Sequence, residues 1–202
     1  MAGGDGSKRD VARLNAFTDG IFVVSMTLLV LDIRLPDLPA ESGDRELIHA
    51  LSELWPKYFG YAVSFLVIAQ YWLGYTSKFG SMRSIDSGFA WLNMLFLLVV
   101  GFVPFATTIL TGHRGPVATS LYAATMTVLS LQLIGMWLYA KKRGRLVADG
   151  HEPTWRAVAP WVRIAVIFAI SIIVAQLHPA WSRAVWLLLA IPLDRMPTRT
   201  AR

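Results

Sequence analysis

The sequence predicts an all-α integral membrane protein in which six transmembrane helices form one bundle. Hydrophobic residues make up 55% of the 202 residues, and the mean hydropathy is +0.50, as is typical of membrane proteins and not of soluble domains. Apolar stretches near the roughly 20 residues that cross a bilayer core recur along the chain. The basic residues lie mostly in alternate loops, which is typical of proteins that cross a membrane several times.

The predicted spans divide the chain into a transmembrane domain, 14–197, an N-terminal tail, 1–13, and a C-terminal tail, 198–202. In order, the spans are 14–35, 54–77, 88–111, 117–140, 157–177 and 180–197. The sixth has a short apolar core that Pro192 interrupts, so it is either a re-entrant helix or a full crossing. The segment 36–46 is rich in Pro, Gly and acidic residues and is predicted to be a surface loop.

The distribution of Lys and Arg predicts the orientation of these spans. With loops assigned alternately, thirteen basic residues lie on one side of the membrane and five on the other. The larger group comprises Lys8, Arg9, Arg13, Lys78, Arg83, Lys141, Lys142, Arg143, Arg145, Arg156, Arg195, Arg199 and Arg202, and the smaller group comprises Arg34, Arg45, Lys57, Arg114 and Arg183. Because basic residues concentrate in cytoplasmic loops, both termini are expected in the cytoplasm. The same rule accounts for the net charge of +6, which therefore does not indicate a nucleic-acid partner.

The chain lacks the residue patterns of an enzyme or a metalloprotein. It has no cysteine, which excludes disulfides, thiolate metal ligands and a cysteine nucleophile. Its four histidines lie far apart in the sequence, and His-Glu-x-x-His, Gly-x-Ser-x-Gly and a phosphate-binding loop are all absent. We therefore predict no enzymatic activity, no cofactor and no resident metal.

The first span carries an acidic residue, Asp19, near its start. An ionisable side chain is costly to place in a bilayer, so such a residue is expected to face protein or water and to serve a function. The alternative is that Asp19 lies near the lipid headgroups and only helps the helix to begin.

One face of the first span has a regular spacing. At about 100° per residue, the positions i, i+4, i+7, i+8 and i+11 align. They hold Gly20, Val24, Thr27, Leu28 and Leu31, which we call the stripe. The stripe is predicted to contact a partner, either as ordinary core packing or as the lining of an axis. Asp19 lies off the stripe, which turns its carboxylate toward neighbouring helices.

Residues 13–24 resemble a known signature. They read Arg-x-x-x-Phe-Thr-Asp-Gly-Ile-Phe-Val-Val, and the first helix of the transmembrane protein 175 family of potassium channels carries Arg-x-x-x-Phe-Ser-Asp followed by Gly-Val-Phe-Ala-Ile. Residues 91–107 begin with Trp-Leu-Asn and end with Pro-Phe-x-Thr, which is similar to the third helix of the same family. The resemblance covers the first three spans.

The chain departs from the family pattern at three positions. Thr18 replaces the usual serine and keeps its hydroxyl, whereas Val24 replaces the isoleucine that narrows the pore and is one methylene shorter. Tyr75 replaces the histidine of the family's Trp-x-x-His motif, which begins here at Trp72. A phenol can donate a hydrogen bond to an acid but does not change charge near neutral pH, so the pH sensitivity that this histidine carries is not expected here.

The resemblance implies a cation channel of moderate potassium selectivity, assembled as a homotetramer of six-helix subunits in a bacterial plasma membrane. Its partners are then potassium ions and the lipid bilayer. Four copies of the first helix line the pore in that family, and apolar rings on them form the constriction. Carried over by position from Asp19, the narrowest ring is Val24, followed toward the outside by Leu28 and Leu31, with the Thr27 hydroxyl between them.

The motif residues are implied to form the scaffold of the first helix and not the filter. They are Arg13, Phe17, Thr18 and Asp19, with Trp72, Tyr75 and Asn93 as supporting partners on the next two helices. Asn93 is expected to bond with Thr18 or Asp19, because an amide in a membrane helix tends to find a polar partner on another helix. The alternative is that Asn93 lies high enough in the membrane to meet water.

A secondary carrier or a proton-coupled transporter is the alternative function. Carriers often bind substrate at mid-membrane between internal repeats with broken helices, whereas this chain holds one copy of the signature. The carbonyl-filter motif Thr-Val-Gly-Tyr-Gly is also absent, so a potassium channel with this sequence has to select ions by another means.

Overall fold

The computed structural model describes residues 3–39, 43–80, 82–113, 115–144, 154–177 and Trp186, and all regular structure in these ranges is helical. The helices are α1, Gly3–Leu28, which continues into a 3-10 turn, Leu29–Asp32; α2, Asp44–Glu53; α3, Trp55–Phe79; α4, Ser87–Gly112; α5, Pro116–Lys142; and α6, Thr154–Leu177. The helix α4 packs against α1, α3 and α5, and α6 packs on α5. The prediction of an all-helical fold is confirmed.

Within the described part of the chain, four segments are long and apolar enough to cross a membrane. They are Gly6–Asp32, Ser87–Gly112, Pro116–Lys142 and Arg156–Leu177. The helix α3 has 25 residues, but its tyrosines, lysines and Gln70 lower its apolar content. Several of its polar side chains, including Ser64, Tyr71 and Tyr75, are buried against the other helices. Apart from Trp186, the predicted sixth span, 180–197, lies outside the described residues.

The helix α2 corrects the end of the predicted loop 36–46, because residues 44–46 are its first turn. It begins after Gly43, and Asp44 and Glu46 lie where the partial positive charge of a helix N-terminus favours acidic side chains. Its ten residues are too few to produce the apolar signal of a membrane span. The Pro, Gly and acidic residues around its start therefore dominated the prediction.

Aromatic rings from three helices form the core beside α1. Phe22 of α1 lies 5.9 Å from Phe96 of α4 and 6.5 Å from Tyr75 of α3, measured between ring centroids. The rings of Tyr75 and Phe96 stack at 5.8 Å, and all three side chains are fully buried. Aromatic pairs at these spacings stabilise a fold beyond the area they bury. They hold one face of α1 against α3 and α4.

Candidate functional site

The helix α1 and its 3-10 turn have one buried face and one exposed face. The buried face comprises Val11, Thr18, Phe22, Ser25 and Leu29, and the exposed face includes all five residues of the stripe. Val24 is 51% exposed and Leu31 is 59% exposed. The stripe therefore does not pack in the core, and its interpretation as ordinary core packing is wrong for the part of the subunit that the structure describes.

Thr27 interrupts the apolar surface of the stripe with an oxygen. Its hydroxyl donates to the backbone carbonyl of Val24 at 2.9 Å. Because that bond uses the hydroxyl proton, the oxygen presents only lone pairs to the exposed face. The stripe therefore carries one hydrogen-bond acceptor between Val24 and Leu28.

One contact that holds α1 in place is a hydrogen bond between Trp72 and Asp19. The indole Nε1 of Trp72, on α3, donates to Oδ1 of Asp19 at 2.8 Å. The acid lies between the buried and exposed faces of α1, so it is directed at the neighbouring helix and not along the stripe. This bond joins α1 to α3 near the start of the predicted span.

A second group of polar side chains lies beside Asp19 in the core. Asn93 Nδ2, on α4, donates to the Thr18 hydroxyl at 2.9 Å, and the Thr18 hydroxyl lies 3.5 Å from the Tyr75 hydroxyl. Thr18 and Asn93 are fully buried. Tyr75 is thus paired with Thr18 and not with an acid, and Asn93 bonds to Thr18, one of its two expected partners. Among the described residues, the Asn93 Oδ1 atom has no hydrogen-bond partner.

Arg13 and Phe17 lie apart from this polar group. Phe17 is 50% exposed, and both side chains line an open groove with Asp10 and Asp86, between α1 and the start of α4. Neither packs in the core of the subunit. Within one chain, the structure therefore brings together Thr18, Asp19 and their partners but leaves the other two motif residues on the surface.

Ser25 forms a contact between α1 and α4 that the sequence analysis missed. Pro104 lies inside α4 and has no N–H to donate to the carbonyl four residues earlier, that of Val100. The Ser25 hydroxyl donates to this carbonyl at 3.2 Å. The available signal was the proline, since a proline within a membrane helix leaves a carbonyl that another side chain has to satisfy.

Asp32 forms the outermost contact of the same helix. Its Oδ2 atom accepts a hydrogen bond from the Thr111 hydroxyl at 2.7 Å, and its backbone carbonyl accepts one from Lys57 Nζ at 3.1 Å. Thr111 belongs to α4 and Lys57 to α3. This side of α1 and its turn is thus tethered at several levels, among them Thr18 with Asp19, Ser25 and Asp32.

The described residues do not form a metal centre. No group of three or more His, Asp or Glu side chains within them is arranged to hold a metal ion. The stripe itself presents apolar side chains and the hydroxyl oxygen of Thr27.

The chain is similar to known channels over much of its length. Residues 13–104 match the family model described as endosomal/lysosomal potassium channel TMEM175. A potassium channel of Streptomyces collinus is 35% identical over 139 residues, covering 66% of each chain. A potassium channel of Chamaesiphon minutus is 33% identical over 152 residues, covering 71% of this chain and 73% of the relative.

The fold matches that of a solved structure from the same group. It is the crystal structure of a lysosomal potassium-selective channel TMEM175 homolog from Chamaesiphon minutus, which superimposes with a TM-score of 0.74 over 91% of this chain and 95% of the other. The sequence identity in that comparison is 24%, so the match supports the fold alone. The family model and the two bacterial relatives show that this chain belongs to the TMEM175 family, among its prokaryotic members.

Proposed function

We propose that the protein is a potassium-selective cation channel whose pore is lined by α1. The observation that carries the proposal is the asymmetry of this helix, whose stripe is exposed while its opposite face is tethered to α3 and α4. A helix held so firmly on one side presents the other side in a constant orientation. The two bacterial relatives are named potassium channels, which agrees with an ion-conducting role.

The proposal requires several copies of the chain around one axis. The described residues include one such helix per chain, and one helix cannot enclose a path for an ion. A homotetramer places four stripes around a common axis and covers their exposed apolar side chains. Both termini are then cytoplasmic, as the basic residues predict, and the membrane is the plasma membrane of a bacterium.

Selectivity arises in this proposal from partial dehydration at apolar rings. A ring of Val24 side chains supplies no oxygen atoms, so an ion that passes it has to shed or distort part of its water shell. Potassium holds its water less tightly than sodium, so the ring favours potassium. Thr27 oxygens next to the ring replace some of the lost contacts, and Leu28 and Leu31 continue the apolar lining outward.

The test is the reversal potential of the purified protein in planar bilayers, with potassium chloride on one side and sodium chloride on the other. We expect a shift toward the potassium equilibrium potential, and its size should change when Val24 is replaced. A reversal potential that follows an imposed pH gradient would instead identify protons as the permeant ion. Saturable, coupled uptake into liposomes without conductance would favour the carrier.

A further inference from the structure

We infer that Asp32 is a positioning residue, held by Thr111 and Lys57, that maintains the 3-10 turn Leu29–Asp32 and so aligns Leu28 with Leu31 along the stripe. The three groups come from three different elements of the chain. Where the inference concerns ion permeation, it rests on the proposed function. Where it concerns the turn, it stands on the geometry alone.

The 3-10 turn changes the relation between two stripe residues. In an α-helix, residues three apart are offset by about 60° around the axis, whereas in a 3-10 helix they eclipse. Leu28 immediately precedes the turn and Leu31 lies within it. Both side chains are exposed. The turn therefore brings them close to one line, one above the other, on the exposed face.

A 3-10 turn of this kind needs support from the rest of the fold. Its hydrogen bonds have poorer geometry than those of an α-helix, which is why such runs are short. Here Leu29 anchors the turn on the core side and is 1% exposed. The turn ends where the Ile33 N–H donates to the Val30 carbonyl at 3.0 Å. Asp32 then ties this end to α4 through its side chain and to α3 through its backbone carbonyl.

The two bonds to Asp32 act on different atoms and from different directions. Thr111 donates to the carboxylate and Lys57 donates to the backbone carbonyl of the same residue. Each bond has one charged partner, and such bonds are stronger than those between neutral groups. Together they hold both the side chain and the backbone at the outer end of the turn.

Gly60 allows Thr111 to reach Asp32. A Cβ atom at position 60 would collide with the methyl group of Thr111, so α3 and α4 approach closely here because one residue has no side chain. Gly60 lies one turn after Lys57 on α3. The close approach therefore places both donors, Lys57 and Thr111, beside the end of the 3-10 turn.

Asp32 could also act simply as a negative charge that attracts cations to the outer end of the pore. The variant Thr111→Val separates the two roles, because it keeps the shape of the side chain and leaves the Asp32 carboxylate in place. It removes the hydroxyl, which bonds to Asp32 at 2.7 Å and also lies 3.1 Å from the carbonyls of Thr107 and Thr108 in its own helix. Thr111→Ser is the matched control, since it keeps the hydroxyl. If Asp32 is a positioning residue, Thr111→Val disrupts the turn and Thr111→Ser preserves it.

The experiment uses the natural absence of cysteine. Leu29→Cys places one thiol at the buried anchor of the turn. Its rate of modification by a water-soluble thiol reagent reports how often the 3-10 turn opens. We expect the rate to rise about tenfold with Thr111→Val, as for loss of a hydrogen bond to a charged group, and to stay unchanged with Thr111→Ser. An unchanged rate in the Val variant would overturn the inference.

Hydrogen exchange of the peptide covering residues 29–34 provides a second measurement in full-length protein without any added cysteine. Faster exchange in Thr111→Val than in Thr111→Ser supports the role of Asp32 in holding the turn, and equal exchange contradicts it. In bilayers, Thr111→Val should also lower the ratio of potassium to sodium permeability. Faster labelling with an unchanged permeability ratio would support the role of Asp32 in holding the turn, but it would contradict a role of Leu28 and Leu31 in ion selection.

Discussion

The indole of Trp72 donates a hydrogen bond of 2.8 Å to the carboxylate of Asp19, and this bond joins the helix that carries the stripe to α3. An acid in a membrane segment has to find a polar partner in the protein or in water. Here one such partner is an indole N–H, which neither adds a charge nor titrates. We therefore propose that Asp19 belongs to the scaffold of α1 and not to an ion-binding site.

Breaking this bond should affect stability and assembly more than selectivity. We expect Asp19→Ala and Trp72→Phe each to lower the thermal unfolding temperature in detergent and the fraction of tetramer on size exclusion. A hydrogen bond to a charged group contributes about 1.5–3 kcal/mol, and the double variant should be less destabilised than the sum of the two single variants. Trp91→Phe is the control, because Trp91 is 71% exposed on α4. Normal assembly with altered ion preference would place Asp19 in the pore instead.

The stability of the protein should depend on a hydroxyl at position 18 and less on whether Thr or Ser supplies it. Thr18→Val keeps the shape but leaves the Asn93 Nδ2 group without its acceptor in a fully buried site. The unfolding free energy should fall by about 1–3 kcal/mol. Thr18→Ser keeps the acceptor, so its unfolding free energy should fall by less. Equal unfolding temperatures for the Val and Ser variants would show that the hydrogen bond contributes nothing.

The contact between Ser25 and Val100 depends on Pro104, and this dependence can be measured. Ser25→Ala should destabilise the protein by about 1–3 kcal/mol, because the buried Val100 carbonyl loses its donor. In a Pro104→Ala background the helix regains its own N–H at that position, so Ser25→Ala should then cost less. A double-mutant cycle on unfolding temperatures tests this. Additive effects of the two variants would mean that Ser25 does not compensate for the proline.

The close approach of α3 and α4 should make Gly60 sensitive to the smallest side chain. Gly60→Ala forces a Cβ against Thr111 and should weaken the bond between Thr111 and Asp32. The free energy of unfolding should fall by about 1–3 kcal/mol because of overpacking. Gly135→Ala, on α5, is the control, because no atom lies within 4 Å of its added Cβ. That change should be neutral or slightly stabilising, since Ala has a higher helix propensity than Gly. Similar unfolding temperatures for both variants would contradict the close contact.

Replacing Val24 tests the filter directly. Val24→Ile narrows the ring and should raise the ratio of potassium to sodium permeability several-fold, whereas Val24→Ala widens the ring and should lower it. The reversal potential under bi-ionic conditions measures both changes. Val128→Ile adds the same methylene at an exposed position on α5 and should leave the ratio unchanged. If both Val24 variants behaved like the natural protein, the constriction would lie elsewhere.

Several features were predictable because they depend on composition or on local spacing. Hydropathy was sufficient to identify four of the membrane segments, and the motif around Asp19 was sufficient to identify the family. The helix α2 was not predictable in the same way, because ten amphipathic residues beside a loop produce no membrane signal. The Asn93 partner was predicted only as a choice between two residues, since an amide N–H can donate to either a hydroxyl or a carboxylate.

The sequence by itself determined that Gly20, Val24, Thr27, Leu28 and Leu31 share one face, because helical periodicity depends only on spacing. Only the tertiary structure decided that this face is exposed and the opposite one buried, since periodicity does not say which side another helix covers. The tertiary structure also paired Ser25 with Val100 and Asp32 with Thr111. These partners lie more than seventy residues apart in the chain, and they meet only because packing brings α1 and α4 together.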